Sequence, residues 1–186
     1  MRNVLPDPSI HKHCTDTSTF IEDLINKYER QITNFVYTYV KDWSAAQEIT
    51  QDVFIKAYEK SYTFEGRSNV KTWLFTIAAN QSKDYLRALE RRKKGLKYLF
   101  SNMITNVEKN TPETIFITNE SNQTLAESVL ALPVIYREVV ILFYYEDLPT
   151  KEIGDLLQMS SSTVRTRLNR ARQMLKSLDE GSEINE

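Results

Sequence analysis

Glycine and proline are scarce in this chain, four and five among 186 residues. That excludes an architecture of many short strands joined by tight turns, because such turns draw heavily on one or the other. A single cysteine, Cys14, excludes an internal disulfide framework. No stretch approaches the roughly 20 consecutive apolar residues of a membrane span, and the opening "MRNVLPDPSIHKHC" lacks an apolar core of signal-peptide length. A reducing, cytoplasmic setting is the expectation. Nor is there an excess of charge: 24 Lys and Arg against 25 Asp and Glu leave a formal net charge of -1, so no chain-wide basic field exists to hold nucleic acid. What is present is 41% hydrophobic residues, enough to bury one ordinary core or two small ones.

The apolar residues recur at helical spacing. Ile21, Leu24, Ile25, Tyr28, Ile32, Phe35, Val36 and Tyr39 form one stripe, which predicts a helix from about Phe20 to Val40, opened by a capping box of Thr19 and Glu22. A second box, Ser44 and Gln47, opens a helix to about Lys60 along Ala46, Ile49, Val53 and Ala57. After a break at Gly66 a third helix runs from Val70 into the nineties, burying Leu74, Ile77, Ala78, Tyr85 and Leu89. Periodicity fades over 95–123, where "SNMITNVEKNTPETIFITNESNQ" is rich in Ser, Thr and Asn and reads as a flexible linker. Helical spacing returns over 124–131, then from Pro133, a first-turn proline, through Ile135, Val139, Leu142 and Phe143, then over 150–157 with Thr150 as cap, and finally over 161–178. The expected fold is all-α. Two small helical domains, 20–94 and 124–178, are joined by that linker and flanked by tails at 1–19 and 179–186.

The final helix decides the functional class. Val164, Leu168, Ala171, Leu175 and Leu178 make one apolar stripe, leaving Ser162, Arg165, Thr166, Asn169, Arg170 and Gln173 on the opposite face, with Arg167 and Arg172 on the flanks. Between Ser161 and Leu178 there are five basic residues and no acid. The preceding "TKEIGDLLQMS" supplies a short helix with Ile153 and Leu156 inward, a small Gly154 where two helices must approach closely, and a tight turn. That is a helix-turn-helix. Its second helix enters the major groove by the N-terminal half, where Arg matches guanine and Asn matches adenine.

A second face runs along the third helix, where Trp73, Thr76, Asn80, Lys83, Arg87, Arg91 and Lys94 lie opposite the apolar stripe. An aromatic, an amide and cations in one line suit an unpaired strand better than a duplex.

In "AAQEITQDVFIKAYEKSYTFEGRSNVKTWLFTIAANQSKDYLRALERRKK" and "LPVIYREVVILFYYEDLPTKEIGDLLQMSSSTVRTRLNRARQML" the chain closely resembles the extracytoplasmic-function group of bacterial sigma factors. The resemblance implies a non-enzymatic transcription initiation factor without cofactor, metal or small-molecule substrate. Its partners would be core RNA polymerase, through the clamp helices of the largest subunit and the beta flap, and promoter DNA. An anti-sigma factor, often membrane-anchored in this family, is a further implied partner. "QEITQDVF" matches the polymerase-binding helix, implicating Gln47, Glu48, Gln51, Asp52 and Phe54. Gln47 stands where an acid is common. "FEGRSNVKTW" and "TWLFTIAANQSKDYLR" match the parts that take the melted minus-ten element, implicating Phe64, Arg67, Ser68, Asn69, Lys71, Trp73, Thr76, Asn80, Lys83 and Arg87. On the minus-thirty-five duplex the resemblance implicates Ser162, Thr163, Arg165, Thr166, Arg167, Asn169, Arg170 and Arg172.

Three other readings compete. Glu48, Asp52 and Glu59 could form a nuclease-type carboxylate cluster, but no His is near them in sequence. "HKHC" holds three metal-ligand types, His11, His13 and Cys14, in the N-terminal tail. A stand-alone helix-turn-helix activator is the main alternative, although it would need a sensor or dimerisation domain that residues 20–94 do not suggest.

Overall fold

In a computed structural model, which describes residues 17–61, 64, 69–99 and 120–182, every regular element is helical. The chain divides between Pro112 and Glu113 into two compact units. The first holds α1 (Thr17–Val40), α2 (Trp43–Glu59) and α3 (Val70–Leu99). The second holds α4 (Glu120–Ala131), α5 (Val134–Val140), a π-helical turn (Ile141–Tyr145), α6 (Thr150–Leu157) and α7 (Ser161–Ser182). Among the described residues no helix is long and apolar enough to cross a membrane.

In the first unit each helix packs on the other two. Leu24, Ile32, Phe35, Val36, Val53, Leu74 and Phe75 are fully buried, and the Phe35 ring sits 5.0 Å from Phe75 and 5.2 Å edge-on to Tyr39. Thr38, Thr50 and Ser82 are also buried, yet each hydroxyl donates to a carbonyl of its own helix at 2.6–2.8 Å, so these three hydroxyls are satisfied at the seams.

Helix starts differ from the sequence expectation. α1 has begun by Thr17, which puts Thr19 inside its first turn instead of at the cap. Two residues, Lys41 and Asp42, turn the chain into α2. Lys41 adopts a left-handed φ of 55° while its N–H donates to Tyr37 O at 2.8 Å. Asp42 then sits in extended conformation, and its carboxylate accepts from Ala45 N at 2.7 Å. A carboxylate beside the positive end of the helix dipole is a strong N-cap, so Asp42 takes the role that the spacing assigned to Ser44 and Gln47.

In the second unit Pro133 occupies the N-cap of α5, one position ahead of the expected first turn, and Pro149 likewise caps α6 where Thr150 was expected. Arg137 is buried and folds back so that Nη2 and Nε reach Leu132 O at 2.6 and 3.1 Å, satisfying a carbonyl at the end of α4. The helix expected to run unbroken through Phe143 changes at Ile141 to π-helical turns, with Glu146 N donating to Ile141 O at 3.1 Å. Helix extends over both edges of the expected 95–123 linker, to Leu99 and from Glu120; residues 100–119 lie outside the described ones.

Gln158 ends α6 in the left-handed region, φ 57°. An L-residue there pays a steric cost of about 1–2 kcal/mol that glycine avoids, partly offset by glycine's greater freedom when unfolded. Gln158→Gly is therefore expected to stabilise the second unit by about 0.5–1 kcal/mol, read as a higher denaturant midpoint for its helices. A lower midpoint would show that the glutamine side chain contributes more than the backbone strain costs.

Candidate nucleic-acid interface

α7 packs through Val164, Leu168 and Ala171, all buried, against α5 and α6. The turn before it is drawn tight by Met159 N donating to Gly154 O at 2.8 Å. A Cβ on Gly154 would lie 2.7 Å from Met159 O, so the close approach expected at this glycine is real and its neighbour is the turn's own backbone. Ser160 starts α7: its Oγ accepts from Thr163 N at 3.1 Å and shares hydroxyl contacts of 2.8 Å with Ser162 and Thr163. Ser162 and Thr163 thus belong to the cap network as well as to the exposed surface.

Beyond the cap, Arg165, Thr166, Asn169 and Arg170 are exposed. Arg165 has only a long contact, Nη2 to Ser161 Oγ at 3.4 Å, leaving its guanidinium available at the outer surface. The two flanking arginines are engaged within the unit. Arg167 Nη1 donates to Glu138 Oε1 at 2.9 Å. Arg172 Nε donates to the Tyr144 hydroxyl at 2.8 Å, and its Nη1 to Asn169 Oδ1 at 3.1 Å. Sequence periodicity placed both on the flanks but could not supply partners that lie 29 and 28 residues away.

On α3, Asn80 and Arg87 are exposed and Thr76 and Lys83 half-buried. Thr76 Oγ1 donates to Thr72 O at 2.8 Å, and Arg87 pairs with Asp84 at 2.7 Å on the surface. Trp73 is half-buried rather than fully outward. Its ring lies 5.2 Å from Phe64, which in turn lies 6.1 Å from Phe20 in stacked geometry. Asn69 caps α3, its Oδ1 accepting from Lys71 N at 3.0 Å, and the Lys71 ammonium sits 5.7 Å from the Phe75 ring centroid. Arg67 and Ser68 lie outside the described residues.

α1 and α2 border a groove of about 750 Å³ lined by Ile21, Ile25, Arg30, Trp43, Gln47, Gln51, Phe54, Ile55 and Tyr58. Of the five residues expected at a polymerase contact, Gln47, Gln51 and Phe54 line it, Phe54 as a buried part of its wall. Glu48 and Asp52 are exposed on α2 without lining the groove. Ile55 and Tyr58 were not singled out, yet they are 56% and 51% exposed. Their signal was legible: 47, 51, 55 and 58 recur at helical spacing on a face separate from the core stripe. Near the α1–α2 turn, burial and then the Asp42 carboxylate push the Tyr37 phenol up. Burial alone raises that of Tyr145. Among the described residues no three His, Cys, Asp or Glu side chains gather to hold a metal; His11, His13 and Cys14 lie outside them.

Known proteins resemble this arrangement in both units. The family described as Sigma-70 region 2 matches residues 24–92, and Sigma-70, region 4 matches residues 122–175. The RNA polymerase sigma factor YlaC of Bacillus subtilis (strain 168) is 31% identical over 161 residues, spanning 84% of this chain and 90% of that protein. The ECF RNA polymerase sigma factor SigW of the same organism is 30% identical over 165 residues, 83% and 86% respectively. Among solved structures, the sigma factor RpoE in complex with the anti-sigma factor NepR from Bartonella quintana superposes with a TM-score of 0.67 at 21% identity, covering 86% of this chain and 96% of that one. CnrH in complex with the cytosolic domain of CnrY gives 0.63 at 17%, covering 88% and 90%; at such identities both speak for the fold. The matches in both units, together with full-length relatives of one kind, establish that the chain belongs to the extracytoplasmic-function group of the sigma-70 family of RNA polymerase sigma factors.

Proposed function

We propose that the two units divide promoter recognition between them. The domain at 20–94 docks on the clamp helices of core polymerase by the exposed side of α2 and takes the melted minus-ten strand along Trp73, Asn80, Lys83 and Arg87. The domain at 124–178 reads the minus-thirty-five duplex with Arg165, Thr166 and Asn169 and meets the beta flap. The observation that carries this reading is the helix-turn-helix itself: an outer face free of acids from Ser161 to Leu178, on a helix that buries Val164, Leu168 and Ala171 on its opposite side. A net charge of -1 fits a factor that borrows its general affinity for DNA from polymerase, since tethering two modest readers raises their effective concentration. An anti-sigma factor is the expected inhibitor, by the example of RpoE with NepR.

The test is promoter retardation and transcription from randomised promoters, with and without core enzyme. Binding should require core. Retardation by the chain alone, with core adding nothing, would favour a stand-alone activator. Within this reading Asp52→Arg, a charge reversal at an exposed position on α2, should weaken core binding by about tenfold while circular dichroism stays unchanged. Normal core affinity would remove Asp52 from the contact.

A further inference from the structure

The π-helical turn places a tyrosine against the reading helix. Its inserted residue shifts everything beyond Val140 by one position around the helix axis, and such turns recur at functional sites. Here the result is Tyr144, 49% exposed, with its hydroxyl 2.8 Å from Arg172 Nε and its ring centroid 5.8 Å from the guanidinium carbon. The same guanidinium donates through Nη1 to Asn169 Oδ1 at 3.1 Å. All three side chains are exposed, so the row does not serve to fill a core.

The row has a direction. A guanidinium only donates, so Tyr144 Oη and Asn169 Oδ1 both act as acceptors. An unheld carboxamide can turn over and offer a base edge either its oxygen or its NH2 group. With Oδ1 drawn toward Arg172, the NH2 group leads. We propose that Tyr144, acting through Arg172, is a positioning residue for sequence readout: it sets which way the Asn169 carboxamide faces the minus-thirty-five duplex. The inference rests on α7 lying in the major groove as described above.

An NH2 group that leads seeks acceptors, which guanine, adenine and thymine all present in the major groove, whereas cytosine presents only a donor there. Cytosine at the contacted base is therefore the one most strongly rejected. Arg172 becomes a brace and not a general phosphate clamp, and Tyr144 contributes to specificity without reaching a base.

The experiment is a base-substitution scan of the minus-thirty-five element with the full chain bound to core polymerase, at one salt concentration, for wild type, Arg165→Ala, Asn169→Ala, Tyr144→Phe and Arg172→Gln. Tyr144→Phe keeps the ring and removes only the hydroxyl that accepts from Arg172. Asn169→Ala should flatten preference at one base pair. Tyr144→Phe should lower discrimination against cytosine at that same pair by about three- to tenfold, leaving the pairs that respond to Arg165→Ala untouched, and Arg172→Gln should reproduce the change. If Asn169→Ala flattens a pair while Tyr144→Phe leaves its preference within about twofold, the positioning role is overturned and the groove reading stands. Uniform weakening on all sequences by Tyr144→Phe and Arg172→Gln overturns it too, in favour of a clamp. No change at any pair with Asn169→Ala sinks the inference together with the placement of α7.

Discussion

Arg167→Met is expected to loosen the second unit by about 3 kcal/mol. Glu138 is 2% exposed and Arg167 25% exposed, and their 2.9 Å contact ties α5 to α7. Removing one partner of a buried ion pair costs about 3–5 kcal/mol, because the desolvated carboxylate loses the charge-assisted contact which that partner made. The lower end applies here because the guanidinium keeps some contact with water. Methionine preserves the aliphatic stem, so the loss reports the charge and not the packing. In the full chain, amide hydrogen exchange over α5 to α7 should accelerate by roughly a hundredfold while α1 to α3 stay protected. Pairing the change with Glu138→Leu should restore most of the protection, since a buried pair replaced by apolar groups is often neutral. An acceleration below about threefold in the single variant would show that the pair contributes little to holding α7.

Trp73→Ala should have the largest effect on promoter opening. The indole ends an aromatic row of Phe20, Phe64 and Trp73, and its half-exposed ring stands on the face of α3 that carries Asn80 and Arg87. Stacking of an unpaired base is worth about 1–3 kcal/mol, so open complex on a duplex promoter should fall by roughly ten- to a hundredfold. On a promoter already mismatched across the minus-ten element the cost of strand separation has been met beforehand, and the loss should be smaller. Trp73→Phe should recover part of the defect. Equal losses on both templates would mean that the ring serves mainly to pack on Phe64.

The helices were legible because each hides most of one stripe, although Tyr85 and Leu89 of α3, expected to be buried, are half-buried and Ile135 of α5 is exposed. Seven of the eight residues assigned to the α1 stripe are buried, and Ile25 is half-buried at the edge of the groove. What stayed hidden follows from the range of the interactions. Asp42 displaced the expected Ser44 cap because Lys41 adopts a left-handed turn that residue spacing does not encode. The π-helical turn lies within the apolar run "ILFYY", where helical and π periodicities look alike. The engagement of Arg167 and Arg172 depends on helices meeting across the second unit. Sequence periodicity could therefore mark a basic face but could not name the partners that hold Arg167 and Arg172 while Arg165 and Arg170 project.

The 2.7 Å approach at Gly154 has an evolutionary consequence. The pitch of the turn is set chiefly by main-chain atoms of Gly154 and Met159, with the Ser160 hydroxyl capping the helix that follows. Arg165 and Thr166 on the outer face of α7, by contrast, bond only within that helix. Arg165 and Thr166 can be exchanged while the turn keeps its shape, so under the promoter reading proposed above preference can drift among duplicated copies of such a chain without passing through a misfolded ancestor. Diversity should accumulate at those outer positions, and position 154 should admit almost none.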